Sequence, residues 1–305
     1  MDRIDAMQVF VTALDEGGLA AAGRRLGRSP AAATRAIHFL EAHLGARLLH
    51  RTTRAITPTE AGERYAATSR RVLADLAEAD LHAAGDRAAP RGVLTLTAPV
   101  VSGTRILRPI LDGFLDRHPA VQARLLLLDR PVHLIDEGID VALRIAHLPD
   151  SSLVAVRLGD VRRVVCAAPA YLARHPAPAT LDDLARHDCV SFAQAGEGEV
   201  WNFPPAGDGK PARPVRVKPR LTVNTIEGAI GSALEGHGIT RVYSYQVERE
   251  VRDGRLVLLL QAFEPPKLPV HLIAPEGRLA IAKVRAFVDY AAPRLRAAFA
   301  RIAAL

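Results

Sequence analysis

One dipeptide, Ser29-Pro30, limits what this chain can fold into more than any other feature. A hydroxyl side chain followed by proline is a helix start. Serine caps the unpaired main-chain N–H groups, and proline at the first helical position forfeits no hydrogen bond. Beyond it, Ala33, Ile37, Leu40 and Leu44 recur at helical spacing up to Gly45, which predicts a helix with one buried stripe over 30–44. The opposite face carries Ala31, Thr34, Arg35 and His38. Upstream, Asp2 is placed to cap a first helix bearing Ile4, Met7, Val9, Phe10, Val11 and Leu14, which ends at Gly17-Gly18. A short alanine-rich second helix over Leu19 to Leu26 closes at Gly27. Two short helices, a glycine turn and a third helix with a polar outer face make a helix-turn-helix.

Charge enters through its distribution. The 305 residues carry a net +7, and all but four of the 40 basic residues (Lys210, Lys218, Lys267, Lys283) are arginine. Residues 1–90 hold 12 basic and 11 acidic side chains, so bulk charge says little. Between Gly18 and Pro58, however, Arg24, Arg25, Arg28, Arg35, Arg47, Arg51 and Arg54 face the single acid Glu41, a local net of +6. In a helix-turn-helix the second paired helix enters the major groove and its first turns meet base edges. Arg35 is suited to hold guanine bidentately, while Ala31 and Thr34 are small enough to admit close approach and touch a thymine methyl. Arg28, Ser29 and Pro30 lead into that helix, where N–H groups near the Ser29 cap suit a phosphate. After Gly45 the segment RLLHRTTRAIT reads as a hairpin, with Leu48 and Leu49 in one strand, Ala55 and Ile56 in the other, and Arg51, Thr52, Thr53 and Arg54 at the tip. Such a wing suits phosphates or a minor groove. Double-stranded DNA is the expected partner, and a purely structural three-helix subdomain the alternative.

Thr57-Pro58-Thr59-Glu60 reads as a capping box with proline at the first helical position, opening a helix that ends near Gly85. Tyr65, Val72 and Ala79 fall at one heptad position and Ser69, Leu76 and Ala83 at the other. A helix with so modest a seam and no core of its own favours pairing with a second subunit through Tyr65, Val72, Leu76 and Ala79. The alternative packs it back on its own domain.

From Ala89-Pro90-Arg91-Gly92 onward the texture changes to alternating strands and helices. Val93–Ala98 is a predicted strand, followed by a turn and a helix carrying Leu107, Ile110, Leu111, Phe114 and Leu115. Next come a strand over 121–128, a short helix over 132–137 and a strand over 141–145, a succession that argues for a mostly parallel sheet. Further strands are expected at VRRVVCAA, CVSF, Leu221–Val223, Gly238–Tyr243 and LPVHLIAP, with helices at AYLARH, Thr225–Glu235 and Ala280–Ile302. A Gly/Pro-rich loop over 196–214 is expected to contain Trp201.

The run GGLAAAGRRLGRSPAAATRAIHFLEAHLGARLLHRTTRAITPTEAGERY resembles the N-terminal domain of LysR-type transcriptional regulators without gaps, and the similarity continues through nearly the whole chain. That family often has glutamine then proline after the Ser29-like residue. Pro30 and Ala31 stand there instead, so base reading falls to Thr34, Arg35 and His38. The resemblance implies a winged helix-turn-helix over 1–58, a linker and dimerisation helix over 59–88, and a two-lobed α/β regulatory domain like a periplasmic binding protein over 89–305. One lobe would hold about 91–160 and 268–305, the other about 161–267. It further implies a homodimer or homotetramer on an interrupted palindrome, a small-molecule effector that shifts the lobes, and RNA polymerase as a candidate further partner. In such sheets ligands bind at the carboxyl ends of strands, where helix N-termini point inward. Two turns qualify for an anionic effector: Val100-Val101-Ser102, and Asn224-Thr225-Ile226 with Asn224 and Glu227 in capping-box spacing. Arg130 and Arg144 at strand ends add charge, unless Arg130 pairs with Asp129 or Asp136.

Several function classes fall away. The histidines lack metal-ligand spacing, no nucleotide-binding loop follows the strand–glycines–helix order, and no catalytic constellation or cofactor is expected. Two cysteines, Cys166 and Cys189, provide neither a disulfide framework nor a zinc quartet, which fits a reducing cytosol. No apolar run approaches a membrane span and the acidic start does not read as a signal peptide, so a cytoplasmic protein is expected. The rival is a small-molecule-binding protein or enzyme whose N-terminal helices serve only oligomerisation. The arginine-rich wing speaks against it.

Overall fold

The computed structural model describes residues 2–51, 56–83, 89–148, 153–192, 200–204 and 213–305, with the side chains of 51, 74, 75, 78, 79 and 81–83 excepted. The expected wing-tip residues Thr52, Thr53 and Arg54, and the side chains of Arg51 and Ala79, therefore lie outside the described residues.

The N-terminal unit rests on α1 (Arg3–Asp15), α2 (Leu19–Arg25) and α3 (Pro30–Leu44). Local signals set the ends. Asp2 accepts from the Ile4 N–H, Ser29 accepts from the Ala32 N–H at 3.2 Å, and Gly45, with φ of 64°, closes α3 in the left-handed conformation that favours glycine. Ala33, Ala36, Ile37 and Leu40 form one core with Ala6, Val9 and Phe10 of α1 and with Leu48 and Leu49. β1 (Leu49–Arg51) and β2 (Ile56–Pro58) pair antiparallel as the wing. Glu41, the one acid in the basic window, accepts from the Leu48 N–H at 2.9 Å and the Leu49 N–H at 3.3 Å, tying α3 to the wing.

The next helix, α4 (Glu60–Ala83), begins later than the Thr57-Pro58 pattern suggests. Pro58 is paired with Leu49 and closes β2, a place in a short hairpin that tolerates a missing N–H. Thr59 caps the helix instead: it accepts from the Gly62 N–H at 2.9 Å and donates to the Arg47 carbonyl at 2.7 Å. At Gly62 the helix crosses the wing in backbone contact, since a Cβ there would lie 2.0 Å from the Leu48 carbonyl oxygen. The expected dimer seam divides accordingly. Half-buried Tyr65 turns inward, its ring 6.0 Å from that of Phe10, and Ala66 and Ser69 nearby are buried. Tyr65 thus packs against the core of its own domain, while Val72 and Leu76 remain apolar and exposed.

The C-terminal part opens with β3 (Gly92–Ala98). One continuous helix follows, made of α5 (Val100–Ser102), a π-helical turn (Gly103–Leu107) and α6 (Arg108–Arg117). Then come β4 (Val121–Leu127), β5 (Val141–Ile145) and β6 (Leu153–Val161). The segment expected as a helix over 132–137 is a single turn: Glu137 N–H reaches the His133 carbonyl, and Gly138 at φ 67° ends it at once. The chain crosses to β7 (Arg163–Ala167), α7 (Pro169–Leu172), β8 (Asp188–Phe192), β9 (Val200–Phe203), β10 (Arg213–Arg216), β11 (Lys218–Val223), α8 (Ile226–Leu234), β12 (Ile239–Tyr243), α9 (Glu248–Arg252) and β13 (Val257–Leu259). It returns for β14 (Leu268–Pro275) and α10 (Ala282–Ala303). Trp201, expected in a loop, is opposite Val215 in the β9–β10 hairpin, buried on lobe 2's core.

Each lobe has a five-stranded sheet, ordered β4-β3-β5-β14-β6 in one and β11-β8-β12-β7-β13 in the other. β3 runs parallel to β4 and β5, and β8 parallel to β11 and β12. The remaining pairings in these two sheets are antiparallel, because the returning β14 in one sheet and the crossing β7 in the other run against that direction. β6 has no counterpart among the sequence-predicted strands. One buried apolar cluster joins Leu94, Leu96 and Phe287 of the first lobe to Val164, Ile226 and Tyr245 of the second. At the crossing, Arg162 pairs with both oxygens of Glu264 at 2.9 Å, which links the outgoing and returning segments. No described helix is long and apolar enough to cross a membrane.

Candidate DNA-binding face and inter-lobe cleft

On α3 the buried stripe leaves Ala31, Arg35 and His38 exposed and Thr34 half-buried, with the Thr34 hydroxyl donating to the Pro30 carbonyl at 3.0 Å. The expected base-reading residues thus share the open side of the helix. Ser29 and Pro30 are exposed at its start. Arg28 does not join them. Its guanidinium pairs with both oxygens of Asp5, one at 2.6 Å, and so clamps the turn before α3 onto α1. That hydrogen-bonded pairing raises the Arg28 pKa. Arg24 and Arg25 are exposed at the end of α2, and Arg25 also reaches Glu16 at 3.2 Å.

The second site is a cleft of about 540 Å³ between the lobes. Its polar lining is dominated by arginine: Arg130 and Arg144 from the first lobe, Arg163 and Arg241 from the second. Arg130 is matched, though by neither expected partner, since both its terminal nitrogens bind Glu137, at 3.0 and 2.9 Å. That pairing holds Glu137 below the usual carboxylate range. Arg144 is different. Burial lowers its pKa, its Nη1 has only the Leu143 carbonyl at 3.5 Å, and its buried Nη2 has no partner. Arg241 lies 4.3 Å over the Phe203 ring, donates to the Asn202 carbonyl at 2.6 Å and leaves Nε buried and unpaired. Desolvation, with the nearby charge of Arg163, pushes Arg241 down to about 10. Phe192, Ile226, Tyr243 and Tyr245 give the same cavity apolar walls.

The two helix-start turns expected to cradle an anion are only partly there. The Val100 N–H already donates to Asp129 at 3.1 Å, so an internal carboxylate occupies that N-terminus. Val101 and Ser102 are buried, and the Ser102 hydroxyl donates to the Pro99 carbonyl at 3.1 Å. In the second turn the cap is Thr225, which accepts from the Gly228 N–H at 3.3 Å, and not Asn224. Asn224 and Thr225 are exposed and do not line the cavity, whereas Ile226 does. Both turns read as helix starts in sequence; in the first, the Val100 N–H and the Ser102 hydroxyl are used by the chain itself, and in the second the Thr225 hydroxyl caps its own helix.

Comparison with known proteins decides the family. The description "LysR substrate binding domain" matches residues 87–296, and "Bacterial regulatory helix-turn-helix protein, lysR family" matches residues 4–63. The chain belongs to the LysR-type transcriptional regulators. A transcriptional regulator of Xanthomonas campestris pv. campestris is 34% identical over 290 residues, 94% of this chain and 84% of its own length. The solved structure of CrgA from Neisseria meningitidis is 29% identical, covers 95% of this chain and 98% of its own, and superposes with a TM-score of 0.61. That of AphB, a Vibrio cholerae virulence activator, is 25% identical over 95% of this chain and 98% of its own, at a TM-score of 0.58.

As a LysR-type regulator the protein is a DNA-binding transcription factor with an effector-binding domain, of a family that assembles as oligomers. The enzyme alternative does not survive this assignment. Among the described residues no cluster of potential metal ligands occurs. Both thiols are buried, and burial pushes Cys166 and Cys189 up to about 12, which disfavours the thiolate form. Sequence reasoning missed Arg163 and Arg241. A signal was present for Arg241, because ITRVY sets one arginine inside an apolar strand just as VALRI does for Arg144.

Proposed function

We propose that this regulator binds an interrupted palindrome in promoter DNA as a dimer, or as a tetramer of two dimers, with α3 in the major groove and the wing on the backbone. The observation that carries the reading is the open face of α3, where Ala31, Thr34, Arg35 and His38 lie together opposite a fully buried stripe. Arg35 reads guanine, Thr34 and Ala31 set the approach, and the Ala31 N–H beside the Ser29 cap meets a phosphate. Arg51, Thr52, Thr53 and Arg54 contact the backbone or minor groove. Val72, Leu76 and Ala79 contribute to subunit pairing through α4. The functional units run over about 1–58, 59–88 and 89–305. A small anionic effector in the inter-lobe cleft shifts the lobes and with them the spacing of DNA-binding pairs. The protein works in the cytoplasm, where promoter DNA is, with RNA polymerase as a further partner.

The test begins with a duplex selected from a randomised pool by the full-length protein. Arg35→Ala is expected to weaken the selected site by about tenfold to a hundredfold and to relax one base position. Alanine at both Arg51 and Arg54 is expected to weaken all duplexes and flatten the salt dependence by roughly two. Wild-type binding by both variants overturns the reading.

A further inference from the structure

We infer that the effector of the inter-lobe cleft is a dianion, with its two acidic groups held by Arg144 on one lobe and by Arg241 with Arg163 on the other. This rests on the reading of the cleft as the effector site. Basic groups outnumber acidic ones in and around this cleft: Arg130 pairs with Glu137, and Asp129, which accepts from the Val100 N–H, is the one other acid, against Arg144, Arg163 and Arg241. Arg144, Arg163 and Arg241 make no direct ion pair with a carboxylate among the described residues, Arg144 feeling only the charge of the Glu137 that Arg130 already holds. Arg144 and Arg241 each bury a nitrogen with no hydrogen bond. An uncompensated buried guanidinium is costly, and evolution retains it where a ligand completes it.

Position argues for two acidic groups rather than one. On lobe 2, β7 and β12 pair Arg163 with Tyr243 and Val165 with Arg241, so both arginines stand diagonally on one face of that sheet. Arg163 lies 5.4 Å over the Tyr243 ring. Arg144 is on β5 in the other sheet, opposite His271. One carboxylate satisfies one guanidinium fork bidentately, which would leave the other lobe's arginine exposed to the same deficit. Two acidic groups answer both, and in doing so they favour the arrangement that brings the lobes together. Ile145, Phe192 and Ile226 line the space between, so the part joining the acids is a compact apolar skeleton. The cavity of about 540 Å³ suits a small ligand of this kind.

The experiment uses full-length protein and matched probes on one skeleton: benzoate and phthalate, butyrate and succinate, hexanoate and adipate, all at constant ionic strength. Thermal shift and calorimetric titration are run on wild type, Arg144→Gln, Arg241→Gln and the exposed-site variant Arg163→Gln, each first checked for retained duplex binding. In the best-binding pair the dianion is expected to bind at least about tenfold more tightly than its monoanion. That advantage should vanish in both Arg144→Gln and Arg241→Gln and shrink in Arg163→Gln. If the monoanions bind as well as the dianions, with arginine-dependent affinity, the dianion is wrong while the effector cleft stands. If the advantage survives either of the first two substitutions, bridging is wrong. If no probe gives a shift that depends on any of the three arginines, the cleft reading falls together with the inference.

Discussion

In the N-terminal unit Arg24, Arg25 and Arg35 stand exposed on helices whose inner faces are apolar, whereas in the inter-lobe cleft Arg144 and Arg241 are partly desolvated and make no direct ion pair among the described residues. The same side chain meets two kinds of anion. DNA is a repeating polyanion approached from outside, so arginines that stay hydrated until contact cost the fold little and gain from counterion release. A small ligand must be recognised from within, and there desolvated guanidiniums strengthen each contact at the expense of the empty state. The packing differs in parallel. The N-terminal core is compact and relies on close backbone approach, while the regulatory core runs continuously between two sheets.

That difference predicts where each half breaks. Gly62→Ala places a methyl group on the Leu48 carbonyl and should destabilise the N-terminal unit by about 3 kcal/mol, with loss of duplex binding. Trp201 is the only tryptophan and belongs to the regulatory lobes, so its fluorescence reports that half alone. In denaturant titration the helical circular dichroism should lose an early component while the Trp201 midpoint holds. A Trp201 midpoint that moves equally would show one cooperative unit and break the comparison. A smaller effect is expected from Arg28→Ala, which releases Asp5 and lowers the midpoint of the same helical component. If the clamp on Asp5 is the whole of the Arg28 role, the salt dependence of duplex binding should not change. A slope reduced by about one would return Arg28 to the DNA face.

What the sequence disclosed follows the range of the interaction. Helix limits at Ser29-Pro30 and Gly45, and the strand LPVHLIAP at Leu268–Pro275, were legible because caps, glycine and continuous apolar runs act within a few residues. The cap of α4 was misplaced onto Thr57 because Pro58 answers to its hairpin partner Leu49. Arg28 reads as one more basic residue until Asp5, on another helix, is placed beside it. Glu41 likewise reveals its role only through the wing amides it accepts from. The cleft was least legible. Its arginines come from β5, β7 and β12, and which face of a strand they occupy depends on pairing that no local pattern encodes.

The smallest predicted effect bears on whether the N-terminal unit is self-contained. The Tyr65 hydroxyl is buried without a hydrogen-bond partner among the described residues, and Ser69, one turn further along α4, buries its own hydroxyl in the same condition. The Tyr65 ring meanwhile packs on Phe10 of the same chain. If that contact is the whole of its role, Tyr65→Phe removes an unsatisfied polar atom and keeps the ring, so stability should rise by up to about 1 kcal/mol. The subunit dissociation constant should then stay at its wild-type value, because Val72 and Leu76, not Tyr65, face the open side of the helix. Denaturation at several protein concentrations separates the two quantities. A variant that is less stable, and more so on dilution, would mean that a second subunit supplies the missing partner. Tyr65 would then belong to the dimer seam, and the inward-packed half of α4 would have to be shared between subunits.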